Sequence, residues 1–171
     1  MISTKDPAPP APRLVALDLI RNQRTLILGT CADSGPWVAP VYFVFAMRGF
    51  CFFSSPRSEH IRHIRTGSAA AASIFSDQGR WRDIRGLQMR GTVHSLRRIG
   101  ERLNVTGAFL LKFPFARDFL QAGGAVTDLS RSVQLYSFVP EKIYLVDNST
   151  AFGRRLALDP DLLESAAQKE E

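Results

Sequence analysis

A small closed β-barrel with a few helices at its edges, of the mostly-β or α+β kind, is the fold class the sequence predicts. Two observations predict it. Short apolar runs rich in Val, Ile, Phe and Tyr recur along the chain, several of them separated by tight turns. Only a few segments with helical spacing lie among them, and neither an internal repeat nor a second domain is visible. The length of 171 residues suits one domain with a proper core.

The elements follow in order. Met1 to Pro12 holds four prolines between Asp6 and Pro12, which excludes a regular helix or a sheet ladder and reads as a mobile leader. "RLVALDLIRNQ" puts Leu14, Leu17 and Ile20 on one face and predicts a short amphipathic helix. "TLILGTC" reads as a strand, reversed by the turn formers of "ADSG". "PWVAPVYFVFAM" reads as a second strand, apolar enough to be covered on both faces. Pro40 places it at an edge or a bulge, because proline cannot donate to a ladder. "RG" turns the chain into a third strand, "FCFFS".

Pro56 to Thr66 is expected as a helix closed by Gly67. "AAAASIFS" is a fourth strand whose small residues would let another group approach closely, and "DQGRWRD" is a polar loop. In "IRGLQMRGTVHSL" alternation puts Ile84, Gly86, Gln88 and Arg90 on one face of a fifth strand, and Arg85, Leu87 and Met89 on the other. "RRIGERLNVTGAFLLKFPFARDFLQAGG" is mostly helical, broken at Pro114 and ended by Gly123-Gly124. "VQLYSFVPEKIYLVDN" gives a last strand, or a bent pair, around Pro140.

The bulk composition excludes several classes. A 45% hydrophobic and 22% charged content is that of a globular chain. No apolar run approaches the ~20 residues of a membrane span, and the N-terminus has no apolar signal region; the expectation is a cytoplasmic protein. Cys31 and Cys51 both sit in apolar runs and read as small hydrophobes in a reducing compartment. The net charge of +6 raises the question of a polyanionic partner. Its arginines are spread along the chain rather than clustered, so surface solvation is the favoured reading over nucleic-acid binding.

One stretch concentrates chemistry. "FSSPRSEHIRHIR", Phe53 to Arg65, gathers serines, histidines and arginines where a strand ends and a helix begins. Pro56 at the first helical position makes Ser55 the expected N-cap and puts Ser58 in the first turn. Ser54, Ser55 and Ser58 then offer hydroxyl donors, with Arg57 and His60 beside them, which suits a phosphate. An ordinary capped helix accounts for the same residues. A metal site fits poorly: His60 and His63 are three apart, no further ligand is near in sequence, and Arg57, Arg62 and Arg65 would repel a cation. The chain has no G-x-S-x-G elbow, P-loop or dinucleotide glycine fingerprint. Gln88 and Arg90 share a strand face, and "DNSTAFGRR" from Asp147 to Arg155 combines turn formers, an aromatic and two arginines. Solvent exposure and an ordinary loop account for these as well.

Together these motifs resemble a known family. "FFSSPRSEHIRHI" is similar to the strand-to-helix segment by which flavin split-barrel proteins, the pyridoxamine-phosphate-oxidase-like superfamily, hold the FMN phosphate. "IRGLQMRGTV" resembles that superfamily's central strand, and "LKFPFAR" with "VDNSTAFGRR" resembles a little-characterised bacterial branch of it. The likeness runs from about Leu14 to Leu156. It implies a six-stranded antiparallel split barrel with flanking helices, forming a homodimer with FMN at the interface. On that resemblance Val41 and Tyr42 would line the isoalloxazine with backbone groups, and Ser54, Ser58 and His60 would hold the phosphate. His60 stands where many relatives carry lysine or arginine, which would make phosphate binding sensitive to pH. Gln88 and Arg90 would reach the ring and the ribityl or phosphate oxygens, and Phe152 and Arg154, from the partner subunit, would close the site.

The best-known member's W-R-x-x-R-L-x-P ending is missing, and the chain finishes "LALDPDLLESAAQKEE", so vitamin B6 as substrate does not carry over. The expectation is a leader (1–12), an FMN-binding split-barrel domain (13–156) and a polar tail (157–171), with a flavin-dependent oxidoreductase activity on an unidentified small molecule. No catalytic residue is named and no metal is expected. The alternatives are a flavin, haem or deazaflavin binding or sensor protein on the same barrel, and a basic nucleic-acid-binding barrel.

Overall fold

The structure is a computed structural model in which residues 10–65, 69–76, 79–117 and 133–163 are described. Helix α1 (Pro12–Asn22) starts on the proline, whose missing N–H costs nothing at a first turn. Strands β1 (Thr25–Ala32), β2 (Gly35–Tyr42), β3 (Val44–Ala46) and β4 (Gly49–Ser54) follow. Then come α2 (Glu59–Arg65), β5 (Ala70–Ser76), β6 (Arg85–Ser95), α3 (Ile99–Lys112), β7 (Gln134–Asp147) and β8 (Arg155–Leu158). Single 3-10 turns stand at Trp81–Asp83 and Pro160–Leu163.

All the strand pairs are antiparallel, in the order β2-β1-β5-β6-β7-β4-β3, with β8 added along the second half of β7. Only Phe43 separates β2 from β3, so the two ends of that order are halves of one chain segment. The barrel therefore closes through this segment, which pairs with β1 over its first half and with β4 over its second. Counting β2 and β3 as one bent strand gives the expected six, and β8 is an addition the sequence reading did not anticipate. The strand β7 is equally divided: Leu135–Phe138 pair with β4, and Ile143–Val146 pair with β8.

The bend lies where expected, at Pro140. There the β6–β7 register shifts between Arg90 and Gly91, and Glu141 is left without a partner on β6. Gly91 is required at this point, because a Cβ on it would collide with the carbonyl oxygen of Val139.

Two cores result. Inside the barrel Phe43, Phe50, Phe52, Phe138, Leu26, Leu28, Ile74 and Leu87 are fully buried, with α1 supplying Ala16, Leu19 and Ile20. Outside it α3 lays Val105, Phe109 and Phe113 on Val44, Ala46, Cys51 and Leu135. That helix covers the outer face over β3, β4 and the start of β7; among the described residues no helix covers the outer face of β1, β5 and β6.

Several local expectations need correction. The buried side of α1 is Val15, Ala16, Leu17, Leu19 and Ile20, while Leu14 is 59% exposed. Strand β2 is an edge, as Pro40 requires, but it is not covered on both faces: Val38 and Tyr42 are 63 and 49% exposed. The turn before β4 centres on Met47 and Arg48, both with φ in the left-handed region (50° and 65°), rather than on Arg48-Gly49. Gly49 belongs to β4, where an added Cβ would meet the Ser137 hydroxyl. Helix α3 stops at Lys112, before Pro114, as that proline's ring demands. Gly67, Gly123 and Gly124 lie outside the described residues.

The cysteines also differ from expectation, since Cys51 is buried and Cys31 is exposed. Burial pushes the Cys51 thiol up to about 11. At about pH 8 a thiol reagent is expected to label native protein once, at Cys31, and Cys51 only after unfolding. Rapid labelling of both in the native protein would contradict this packing.

Candidate functional site

The strand register determines what the uncovered outer face carries. On β6, Gly86, Leu87, Met89, Gly91 and Val93 are buried while Gln88, Arg90 and His94 are exposed, the alternation expected of one face in and one face out. Gln88 lies between Ser73 on β5 and Tyr144 on β7, and Ser73 in turn pairs with Ile27 on β1. Arg90 lies between Ala71 and Lys142, and Ala71 pairs with Gly29. Toward β1 the row from Arg90 is thus alanine and glycine, a low floor, and the row from Gln88 is serine and then isoleucine. Among the described residues the side chain of neither Gln88 nor Arg90 makes a hydrogen bond or an ion pair.

The serine–histidine cluster forms at one end of the barrel. Ser54 shares the inward parity of Phe50 and Phe52 on β4, so its hydroxyl meets α2 across the barrel end. Its Oγ lies 2.8 Å from His60 Nε2 and 3.0 Å from Ser58 Oγ, and Ser58 Oγ lies 3.3 Å from the same nitrogen. The Ser58 hydroxyl also donates to the Ser55 carbonyl at 2.7 Å. Ser54 and His60 are buried and Ser58 is half-buried. Burial, with the nearby charge of His63, pushes the His60 imidazole below its ordinary range.

Ser55 is not the N-cap. The helix begins three residues later than expected, at Glu59, and the Ser58 carbonyl accepts its first N–H groups from Ile61 and Arg62. The Ser55 hydroxyl and carbonyl instead close the Pro56-Arg57 turn, by accepting from Arg57 N–H and Ser58 N–H. His63, on the same helix, is buried against β1: Nδ1 lies 3.2 Å from Thr30 Oγ1, and Nε2 lies near Ser34 Oγ and Glu59 Oε1. Two imidazoles thus fasten α2 to β4 and to β1, the strands on either side of the β2–β3 segment.

The "DNSTAFGRR" segment is the β7–β8 connection. Asp147, buried, accepts from the Ser149 hydroxyl at 2.6 Å, from Ser149 N–H at 3.0 Å and from Arg85 Nε at 3.4 Å. The Asn148 side chain donates to the Trp81 carbonyl at 2.9 Å. These bonds tie the turn to the Trp81–Asp83 loop and hold the Phe152 ring edge-to-face with Trp81, centroids 5.5 Å apart. Both rings are exposed, Phe152 by 78%. Arg154 lines a small cavity of about 260 Å³ with Pro10, Pro12, Leu145, Thr150 and Leu156.

Of the residues expected at the site, Ser54, Ser58 and His60 are joined directly, and Gln88 and Arg90 share the outer face. Val41 turns inward opposite Leu26 and packs on the core; Tyr42 turns outward opposite Thr25 and lies on the Phe113 and Phe115 rings. Among the described residues no hydrogen bond or ion pair joins the serine–histidine cluster to Gln88, Arg90, Phe152 or Arg154. Lys142, Tyr144 and Trp81 are additions. The first two emerge only from the β6–β7 register, which sequence spacing does not reveal across the 38 residues (96–133) between the strands, a gap too long for turn chemistry to fix. Trp81 had a signal, a tryptophan between two arginines in a polar loop.

Comparisons with known proteins agree with this architecture. Residues 15–106, more than half of the chain, match the family model described as pyridoxamine 5'-phosphate oxidase. No curated protein matches the sequence. A haem-binding protein from Mycobacterium smegmatis is similar in structure, with a TM-score of 0.71 at 16% identity, over 94% of this chain and 62% of that one. This chain therefore spans less than two thirds of that relative's length. A FAD-binding protein from Mesorhizobium loti gives 0.60 at 20% identity, over 77% and 91% of the two chains. HutZ, the haem storage protein of Vibrio cholerae, gives 0.59 at 19% identity, over 76% and 89%. At these identities the likeness shows the fold.

Proposed function

Because the chain belongs to the pyridoxamine 5'-phosphate oxidase family, we propose that it is a homodimeric FMN-binding protein acting as a flavin-dependent oxidoreductase on an unidentified small molecule. The observation that carries this reading is the outer face of β1, β5 and β6. There the Gln88 and Arg90 side chains stand exposed, without protein partners among the described residues, beside Gly29, Ala71 and Ser73, with Ile27 at the β1 end of the Gln88 row. Such a face admits a planar ring and offers it an amide and a guanidinium.

Strand β2 borders the same face as an edge strand, so backbone groups around Val41 and Tyr42 that point away from β1 are available to ring heteroatoms. Ser58, half-buried at the rim of its cluster, with Ser54 and His60 behind it, offers hydroxyl and imidazole groups to a phosphate. Phe152 and Arg154 lie on an exposed turn, able to close a neighbouring subunit's site. Exposed Val38, Tyr42, Phe75 and Tyr144 give the partner an apolar surface. The flavin would supply the electron chemistry; the chain's own residues bind it, orient it and exclude water.

One observation favours a second reading. The exposed imidazole of His94 lies on the outer side of β6, its Nε2 2.9 Å from Thr92 Oγ1, and two of the similar structures are haem proteins. Haem on this barrel, with His94 as a candidate ligand, is the rival; a deazaflavin ranks behind both.

Absorption spectra separate them. The flavin reading expects FMN to bind the purified protein, and the bound flavin to be bleached by NAD(P)H or dithionite. Haemin binding with a Soret band that His94→Ala abolishes, or indifference to both ligands, would sink it. Light scattering tests the dimer; a monomer at all concentrations excludes it.

A further inference from the structure

Trp81 and Phe152 are large aromatic side chains left in water, 53 and 78% exposed, yet the two turns that carry them are held in place. The Arg80–Asp83 ion pair at 2.6 Å, with the bond from Asp83 N–H to the Arg80 carbonyl, closes the Trp81 turn on itself. Asn148 ties that turn to the β7–β8 connection twice, through its side chain to the Trp81 carbonyl and through its N–H to the Ile84 carbonyl. The two rings stand at 87° and so form a corner. A planar heterocycle stacked on one of them meets the other at right angles, and both are favourable aromatic arrangements. Exposed, pre-set rings of this kind hold nucleic bases by stacking. An open cleft of about 420 Å³ lies against the same turn, lined by Gly79, Arg80, Trp81, Arg82 and Asp83. That is the size of a small-molecule site.

The charge around the corner is one-sided. Residues 80–85 and 147–155 hold five arginines and two aspartates. Both carboxylates are engaged, Asp83 with Arg80 and Asp147 with Arg85. Among the described residues the exposed side chains of Arg82, Arg154 and Arg155 take part in no ion pair. The Arg82 guanidinium lies over the indole, 5.0 Å from the ring centroid, and a stacked guanidinium keeps its N–H groups for an oxyanion.

We propose that Trp81, Phe152 and Arg82 form a subsite for a nucleotide, with the base in the ring corner and a phosphate on Arg82. This phosphate is a second one, distinct from the group offered to Ser54, Ser58 and His60 at the barrel end. As a nucleotide subsite the corner stands apart from the flavin reading. Under that reading, on which the identification then rests, the Phe152 turn lies at the mouth of the neighbouring subunit's site. The nucleotide is there the adenylate end of an NAD(P)H electron donor.

The chain has two tryptophans, so Trp37→Phe leaves Trp81 as the sole reporter. AMP, adenosine and ribose 5-phosphate are titrated against its fluorescence. Saturable quenching is expected from AMP, at about tenfold lower concentration than from adenosine, and none from ribose 5-phosphate. Adding Arg82→Gln, an exposed change, is expected to erase the preference for AMP over adenosine. No quenching by AMP, or a preference undiminished by Arg82→Gln, overturns the subsite. A Trp81 signal that follows protein concentration and ignores AMP makes the corner a subunit contact and overturns it as well.

A second arm uses the FMN-loaded protein and compares NADH with reduced nicotinamide mononucleotide, which lacks the adenylate. Wild type is expected to need about tenfold less NADH for half-maximal flavin reduction, and Trp81→Ala to lose that preference. The same preference in both proteins overturns the donor assignment. If wild type binds no FMN, the flavin reading fails and the AMP titration alone decides the subsite.

Discussion

Gly91→Ala is expected to lower the stability of the folded chain by about 3 kcal/mol or more, and its thermal midpoint by roughly 10 °C. The added methyl would point into the carbonyl oxygen of Val139 and the Cα of Pro140, which are backbone atoms with no rotamer to change. Relief requires moving β7 away from β6 at the bulge, where the long strand changes its pairing partner from β4 to β8. Gly29→Ala is the control. Its methyl would lie 3.6 Å from the Ala71 carbonyl oxygen, an ordinary contact, and the change should cost less than about 1 kcal/mol. Thermal melts of the two variants check the difference. A Gly91→Ala protein that melts like wild type would mean that β6 and β7 do not meet in this register.

The second large effect belongs to His60. Burial and the His63 charge hold its folded pKa below the ordinary value of 6.5, so the unfolded chain binds the proton more readily. Stability is accordingly independent of this group above about pH 7.5 and declines as pH falls through 6.5. The decline reaches at most about 1.4 kcal/mol per pH unit, and it ends once the folded state is protonated too. Of the groups around the imidazole, Ser54 on β4 and Ser58 beside the helix are uncharged. On α2 itself His63 opposes its protonation, and Glu59 pairs with His63 and Arg62. His60→Gln should flatten this part of the pH–stability curve. His60→Ala should cost about 2 kcal/mol at neutral pH as well, by removing a partner from Ser54 and leaving a void. Denaturant titrations from pH 5 to 8 test both; equal slopes in wild type and His60→Gln would exclude the assignment.

The strands were legible because alternation and turn residues act locally. The β6 pattern around Gln88 and Arg90 follows from the strand's period of two, and the edge position of Pro40 and the bend at Pro140 follow from proline's covalent limits. The start of α2 was misplaced because Pro56 suits a turn as well as a first helical position, and the Ser55 and Ser58 hydrogen bonds decide between them. Ser54, Ser58 and His60 were gathered correctly since all three lie within seven residues. Lys142 was invisible for the opposite reason: its meaning depends on which residue of β6 faces it, and pairing between distant strands leaves no periodic trace. The exposure of β2 escaped for a related cause. An apolar strand reads alike whether its cover is the same chain or another.

The division of β7 between two partners also governs the order of assembly. In the strand order β7 stands between β6 and β4, so neither of those can complete its pairing before residues 134–147 have been synthesised. A chain emerging from the ribosome can form the β1–β2 and β3–β4 hairpins early, but it must hold β4 and β6 as open edges until its last quarter appears. Closure then joins segments tens of residues apart, a slow and non-local step. During that interval the exposed rows of N–H and C=O groups on β4 and β6 are the places where a second nascent chain could pair wrongly.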